Sequence, residues 1–167
     1  MSITLNGNGT ITGYTPTTIS GTLAASSLPT GSIVQTKHLQ FTTELNGTAA
    51  SHTDITGFAL SITPTSASND ILIILHFSGS LDCDGRMGFK RNGTQIEEYF
   101  LGTSRLEEND TGTFCGTYKD SPNSDQAVTY QVTVRVTGCN QTYSINKPQQ
   151  GSGDNGKSGM TLMEVAA

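Results

Sequence analysis

The stretch Ala127-Val128-Thr129-Tyr130-Gln131-Val132-Thr133-Val134-Arg135-Val136-Thr137 alternates without a break. Val128, Tyr130, Val132, Val134 and Val136 fall on one side, and Thr129, Gln131, Thr133, Arg135 and Thr137 on the other. That period of two is the mark of a strand with one face in a core and one in water. Outward from it, short β-type runs alternate with turn residues, and nowhere do apolar residues recur at helical spacing. Strands are predicted at Ser32 to Phe41, Gly57 to Ile62, Ile71 to Ser78, Arg86 to Lys90, Thr94 to Phe100, Thr113 to Tyr118, Ala127 to Thr137, Thr142 to Asn146 and Met160 to Val165. Such a set fits an all-β, two-sheet antiparallel sandwich.

Two of these segments say more. Asn92-Gly93, between Met87 to Arg91 and Thr94 to Glu98, supplies the positive backbone angles of a tight type I′ hairpin. The run Ile71-Leu72-Ile73-Ile74-Leu75-His76-Phe77 does not alternate, so both faces of that strand are to be covered. Either Ile71, Ile73, Leu75 and Phe77 face the interior while Leu72, Ile74 and His76 face a partner, or the reverse holds. Both arrangements imply oligomerisation.

The chain has 167 residues, enough for one sandwich domain. Charged residues make up 14% of it, against about 25% in an average soluble domain. The net charge of -5 and the pI near 5.0 exclude a basic stripe for nucleic acid. The longest apolar run is far short of a membrane helix, and Met1-Ser-Ile-Thr lacks the basic start of a secretory signal. The expectation is a protein made in the cytosol, with no membrane insertion. In that setting Cys83, Cys115 and Cys139 are expected to be buried reduced thiols.

Residues 1–30 differ from 31–167. They contain no charged side chain, and Ile3, Leu5, Ile11, Tyr14, Ile19, Leu23 and Leu28 are scattered among Asn, Gly and Thr. These are too sparse to close a core. The first zone reads as a docking arm that buries those side chains against another protein, and the second as the folded domain.

A search for chemistry returns little. His38, His52 and His76 form no HxH or HExxH pattern, so no metal site is predicted. Asp82-Cys83-Asp84-Gly85 lacks the rest of a calcium loop. Glu97 and Glu98, adjacent on a strand, point to opposite faces and are not a glycosidase pair. No nucleophile elbow, phosphate loop or dinucleotide fingerprint is present. No catalytic residue and no cofactor is expected.

Four stretches, Gly31 to Gln35 (GSIVQ), Phe58 to Ile74 (FALSITPTSASNDILII), Lys119 to Pro122 (KDSP) and Met160 to Ala167 (MTLMEVAA), spread over nearly all of the second zone. In this order they resemble the C-terminal knob-like domains of bacteriophage virion proteins, especially from phages of cyanobacteria and marine bacteria. The arm lies outside the resemblance. Such domains are similar to tumour-necrosis-factor and C1q jelly rolls, which implies a jelly-roll sandwich. It also implies a homotrimer with the C-terminal strand near the axis, so that Met163 and Val165 join Leu72, Ile74 and His76 at the trimer interface.

Two functions follow from the resemblance. One is a capsid decoration (cement or head-fibre) protein whose arm docks on the phage major capsid protein or another virion protein. The other is a tail-fibre tip that binds a host surface receptor or glycan through loops such as Thr103 to Asp110 or Gly151 to Ser158. That second function finds few aromatic platforms for sugars beyond Tyr118 and Tyr143.

Overall fold

The computed structural model describes residues 28–104, 112–138, 140–147 and 156–167. Every regular element among them is a strand: β1 (Ile33–Phe41), β2 (Leu45–Thr48), β3 (Thr53–Ile62), β4 (Asp70–Leu81), β5 (Asp84–Arg91), β6 (Thr94–Ser104), β7 (Gly112–Asp120), β8 (Val128–Thr137), β9 (Thr142–Ile145) and β10 (Ser158–Val165). All nine predicted strands are there. The added one, β2, is four residues long with a single large apolar side chain, Leu45, too little for periodicity to register.

All pairings are antiparallel. One sheet of six strands runs β1-β10-β4-β9-β2, with β7 on the other edge of β4, and the second runs β3-β8-β5-β6. Setting aside the short β2 and β9, the sheets read β1-β10-β4-β7 and β3-β8-β5-β6. This is the double Greek key of a jelly roll.

The core lies between the sheets. From β4 come Ile71, Ile73, Leu75, Phe77 and Leu81, from β8 Val128, Tyr130, Val132, Val134 and Val136, from β10 Met160 and Leu162, all buried. The open choice over β4 is thereby decided, with the odd-numbered row inside. Aromatic pairs close both flanks: Phe41 stacks on Phe58 at 4.6 Å between β1 and β3, and Phe89 meets Tyr118 at 6.1 Å between β5 and β7.

Two glycines permit local departures. Asn92 and Gly93 adopt φ of 48° and 85°, as the hairpin between β5 and β6 requires. Gly57, at φ 81°, lies in a wide bulge where residues 55–58 of β3 pass Val132 alone on β8. The Gln131 amide fills that gap, donating to the carbonyls of Ile55 (2.8 Å) and Phe58 (3.2 Å). The bulge also breaks the alternation, which explains why β3 starts at Thr53 and not at the expected Gly57.

The cysteine expectation needs correction. Cys83 is disulfide-bonded, and Cys115 is free and exposed; Cys139 lies outside the described residues. Register supplies the reason: Asp84 pairs with Thr137, which brings the turn between β4 and β5 alongside the end of β8. A Cβ at Gly138 would lie 3.9 Å from the Cys83 sulfur.

Three buried polar groups fix strands and loops around the core. The Tyr130 hydroxyl donates to Asp120 (2.6 Å), which also takes the Arg91 guanidinium (2.9 Å). Burial and the Asp120 bond together push the Tyr130 phenol upward. The Asn146 amide donates to the carbonyls of Phe41 and Thr43, while its oxygen accepts from Ser158.

Glu164, fully buried on the inward row of β10, accepts from Gln35 (2.6 Å), the Thr65 amide (2.7 Å) and hydroxyl (2.8 Å), and Asn69 (2.7 Å). Burial alone would raise its pKa. The hydrogen bonds from Asn69, Gln35 and Thr65 outweigh that and hold the carboxyl below the ordinary range.

Two outcomes follow. Leu162→Ala should cost about 2–5 kcal/mol in denaturant melts, whereas Thr36→Ala, on the outward face, should stay within about 0.5 kcal/mol. Because the Glu164 pKa is lower folded than unfolded, its ionised form stabilises the fold above the ordinary carboxylate range. That contribution disappears as pH falls through the folded value. Glu164→Gln should therefore be less stable than the parent at neutral pH, and the gap should narrow on acidification. An equal gap in neutral and acidic melts would show that ionisation of Glu164 contributes nothing.

Candidate functional site

The outward face of the six-stranded sheet gathers the side chains that sequence pattern and resemblance singled out. Register sets Met163 beside Leu72, Thr161 beside Ile74 and Gly159 beside His76. On the other edge of β4, Leu72 faces Lys119, Ile74 faces Thr117 and His76 faces Cys115. Across β10, Thr36 lies by Met163, His38 by Thr161 and Ile33 by Val165.

The face has two halves. Leu72, Ile74, Met163 and Val165 are half-buried and contiguous, and next to them stands Ile33, 57% exposed and the one exposed large hydrophobic among the described residues. The other half is polar: His38, His76 and Cys115 are exposed. The His38 Nδ1 is 2.9 Å from the Thr161 hydroxyl, and the ring lies over Gly159, where a Cβ would approach its Cε1 to 3.3 Å. Among the described residues no three His, Cys, Asp or Glu side chains come together to hold a metal ion.

All five residues expected at a trimer interface thus share one face, though His76 belongs to its polar half. Ile33 was not among them. Its signal is positional: a β-branched residue after Gly31-Ser32 that only register with Val165 reveals as outward. Of the arm residues, Leu28 is half-buried, while Ile3, Leu5, Ile11, Tyr14, Ile19 and Leu23 lie outside the described residues.

The loops considered for glycan contact, Thr103 to Asp110 and Gly151 to Ser158, lie mostly outside them too. Tyr118 and Tyr143 are no exposed platforms, since both pack against the core. Glu97 and Glu98 serve different environments. The charge of Glu97 helps raise the Tyr118 pKa, after burial and Asp120, and that of Glu98 acts on His52.

No family model and no curated protein matches this chain. Among solved structures, it is similar to a chain in a structure of the infectious bursal disease virus Gt strain. The TM-score is 0.42 at 10% identity, over 90% of this chain and 43% of that one. It is also similar to dimeric latent PorU from Porphyromonas gingivalis, with a TM-score of 0.41 at 8% identity, over 89% of this chain and 14% of the other. The chain therefore spans less than half the length of either. At these identities the likeness concerns the all-β architecture alone.

The two rows of β4 predict different mutant behaviour. Ile73→Asp places a charge in the core and should prevent folding. Ile74→Asp sits half-exposed in a single chain and should leave the strand content intact while lowering the mass in light scattering. An unchanged mass for a folded Ile74→Asp protein would remove this face from any assembly contact.

Proposed function

We propose that this chain is a structural protein of a bacteriophage particle, a homotrimeric knob that decorates the capsid and docks on it through residues 1–30. The observation that carries the reading is the continuous apolar half-face of Leu72, Ile74, Met163 and Val165 at the end of the sheet where the arm enters. There the Gly31 amide donates to Ala166 (2.8 Å) and the Ala166 amide to Ser32 (2.9 Å), so the arm's root is bound to the C-terminal strand. Three copies packed through this face form a closed ring, with no open surface left for further growth. Their three arms leave from one end, beside the shared contact.

The arm suits a coat-protein partner. About thirty residues reach up to about 100 Å when extended, and added β-pairing gives affinity through main-chain hydrogen bonds. Ile3, Leu5, Ile11, Tyr14, Ile19, Leu23 and Leu28 carry the contact, each aliphatic worth about 1–2 kcal/mol when buried. The reading includes no catalytic role and no cofactor, metal or nucleic acid. A tail-fibre tip is favoured by one separate observation, the polar outward row of β8 with Thr129, Gln131, Arg135 and Thr137 on the other sheet, which a trimer built on the six-stranded sheet leaves uncovered.

Removing residues 1–30 should leave the knob folded and trimeric while abolishing co-sedimentation with particles that lack the protein. Because no side chain before Lys37 is charged, attachment of the full chain should survive molar salt. If the truncated knob binds as well as the intact chain, attachment resides in the knob surface instead.

A further inference from the structure

On β8 the outward row is Thr129, Gln131, Thr133, Arg135 and Thr137, yet its middle member, Thr133, is fully buried. His52 and Gln95 lie over it. The Thr133 hydroxyl is 3.2 Å from His52 Nδ1 and accepts from Gln95 Nε2 at 3.2 Å. Gly88, opposite Thr133 on β5, leaves the room, since a Cβ there would come within 2.8 Å of Gln95 Nε2.

Among the described residues, the buried side-chain polar atoms without a hydrogen-bond partner are His52 Nε2, Gln95 Oε1 and Arg135 Nε; Arg135 stands two residues from Thr133 in the same outward row, and its charge acts on His52. Native folds seldom leave such groups unpaired, so their concentration on one patch calls for a cause. Nearby charges are matched: Arg86, directly opposite Arg135, pairs with Asp84 (2.7 Å), and Lys90 pairs with Asp54 (2.5 Å). Arg135 has no ion pair among the described residues, and the Glu98 carboxylate is exposed near His52.

We propose that this cluster on the outward face of the four-stranded sheet binds a saccharide through its hydroxyl groups. The unpartnered set mixes a donor, Arg135 Nε, an acceptor, Gln95 Oε1, and an imidazole nitrogen that serves as either. The charges around it cancel, with Arg86, Lys90 and Arg135 set against Asp54, Asp84 and Glu98. A sulfate or carboxylate only accepts hydrogen bonds, so it would leave Gln95 Oε1 without a donor and would face Glu98. A hydroxyl donates and accepts at once, and neighbouring hydroxyls on one sugar ring match the whole set. The atoms are shielded in the unbound chain, so binding rotates the His52 or Gln95 side chain, a change of rotamer only. The site uses the sheet opposite the proposed trimer face and does not depend on that assembly.

The test follows the His52 ring resonances of the full chain by NMR during titration with glucose, galactose, mannose and N-acetylglucosamine, and separately with sodium sulfate. At least one sugar should shift them saturably while sulfate does not. Arg135→Lys, which keeps the charge and removes the Nε donor, and Gln95→Ala should each weaken that response at least tenfold while the protein stays folded. A saturable response to sulfate but to none of the sugars would overturn the proposal in favour of an anion site. Silence toward every probe, or a sugar response untouched by both variants, would also overturn it.

Discussion

The central constraint on this fold is β4, which is apolar on both faces, buried on one of them and paired on both edges. Along one edge it pairs first with β10 and then with β9, and along the other with β7. Through β10 it places β1, and through β9 it places β2. Its inward row forms the floor on which β8 packs, and its outward row leaves Leu72 and Ile74 facing out of the sandwich. A sequence with polar residues at Leu72 and Ile74 would give the same sandwich without that apolar surface. The uninterrupted apolar run therefore supplies the core with one row and, in the assembly proposed above, the contact with the other.

The four short stretches singled out in the sequence coincide with buried polar contacts. Thr65 and Asn69 of the Phe58 to Ile74 stretch, Gln35 of GSIVQ, and Glu164 of MTLMEVAA converge on one carboxylate, and the Asn69 oxygen also accepts from the Ala167 amide (3.2 Å). Asp120 of KDSP meets Tyr130 and Arg91. A buried carboxylate needs several donors placed at once, and few residue types at few positions supply them. Apolar core positions accept many substitutions of like volume. Polar junctions tolerate far fewer.

Strands with strict alternation, β8 above all, were legible residue by residue, because period two ties each side chain to a face. The hairpin at Asn92-Gly93 was legible because few residues accept its backbone angles. What stayed hidden is what register decides. Glu164 lies in the inward row of β10, in step with Met160 and Leu162, but its four donors come from β1 and a loop nearly a hundred positions away. The Cys83 disulfide was missed because compartment rules took the place of geometry, and only the pairing of Asp84 with Thr137 brings that turn to the end of β8. His52, Gln95 and Arg135 gave no signal, since polar residues on outward strand positions are ordinary until register and a glycine bring His52 and Gln95 over Thr133 beside Arg135.

The two sheets end up with opposite surface chemistry, and the difference restricts how they are used. On the six-stranded sheet the apolar half-face adjoins the root of residues 1–30, so the proposed assembly and the proposed attachment would share one end of the molecule. Desolvating that half-face costs little, because its side chains carry no polar groups that must find new partners. The four-stranded sheet presents Arg86, Lys90 and Arg135 among carboxylates and amides, and packing a second copy there would strand those groups in a dry contact. Association through the first sheet leaves the second in water, where charged and amide groups keep their solvation until a ligand with matching donors and acceptors replaces it. The proposed assembly on one face and the proposed sugar binding on the other are therefore compatible, because the desolvation cost that favours the first surface for packing disfavours the second.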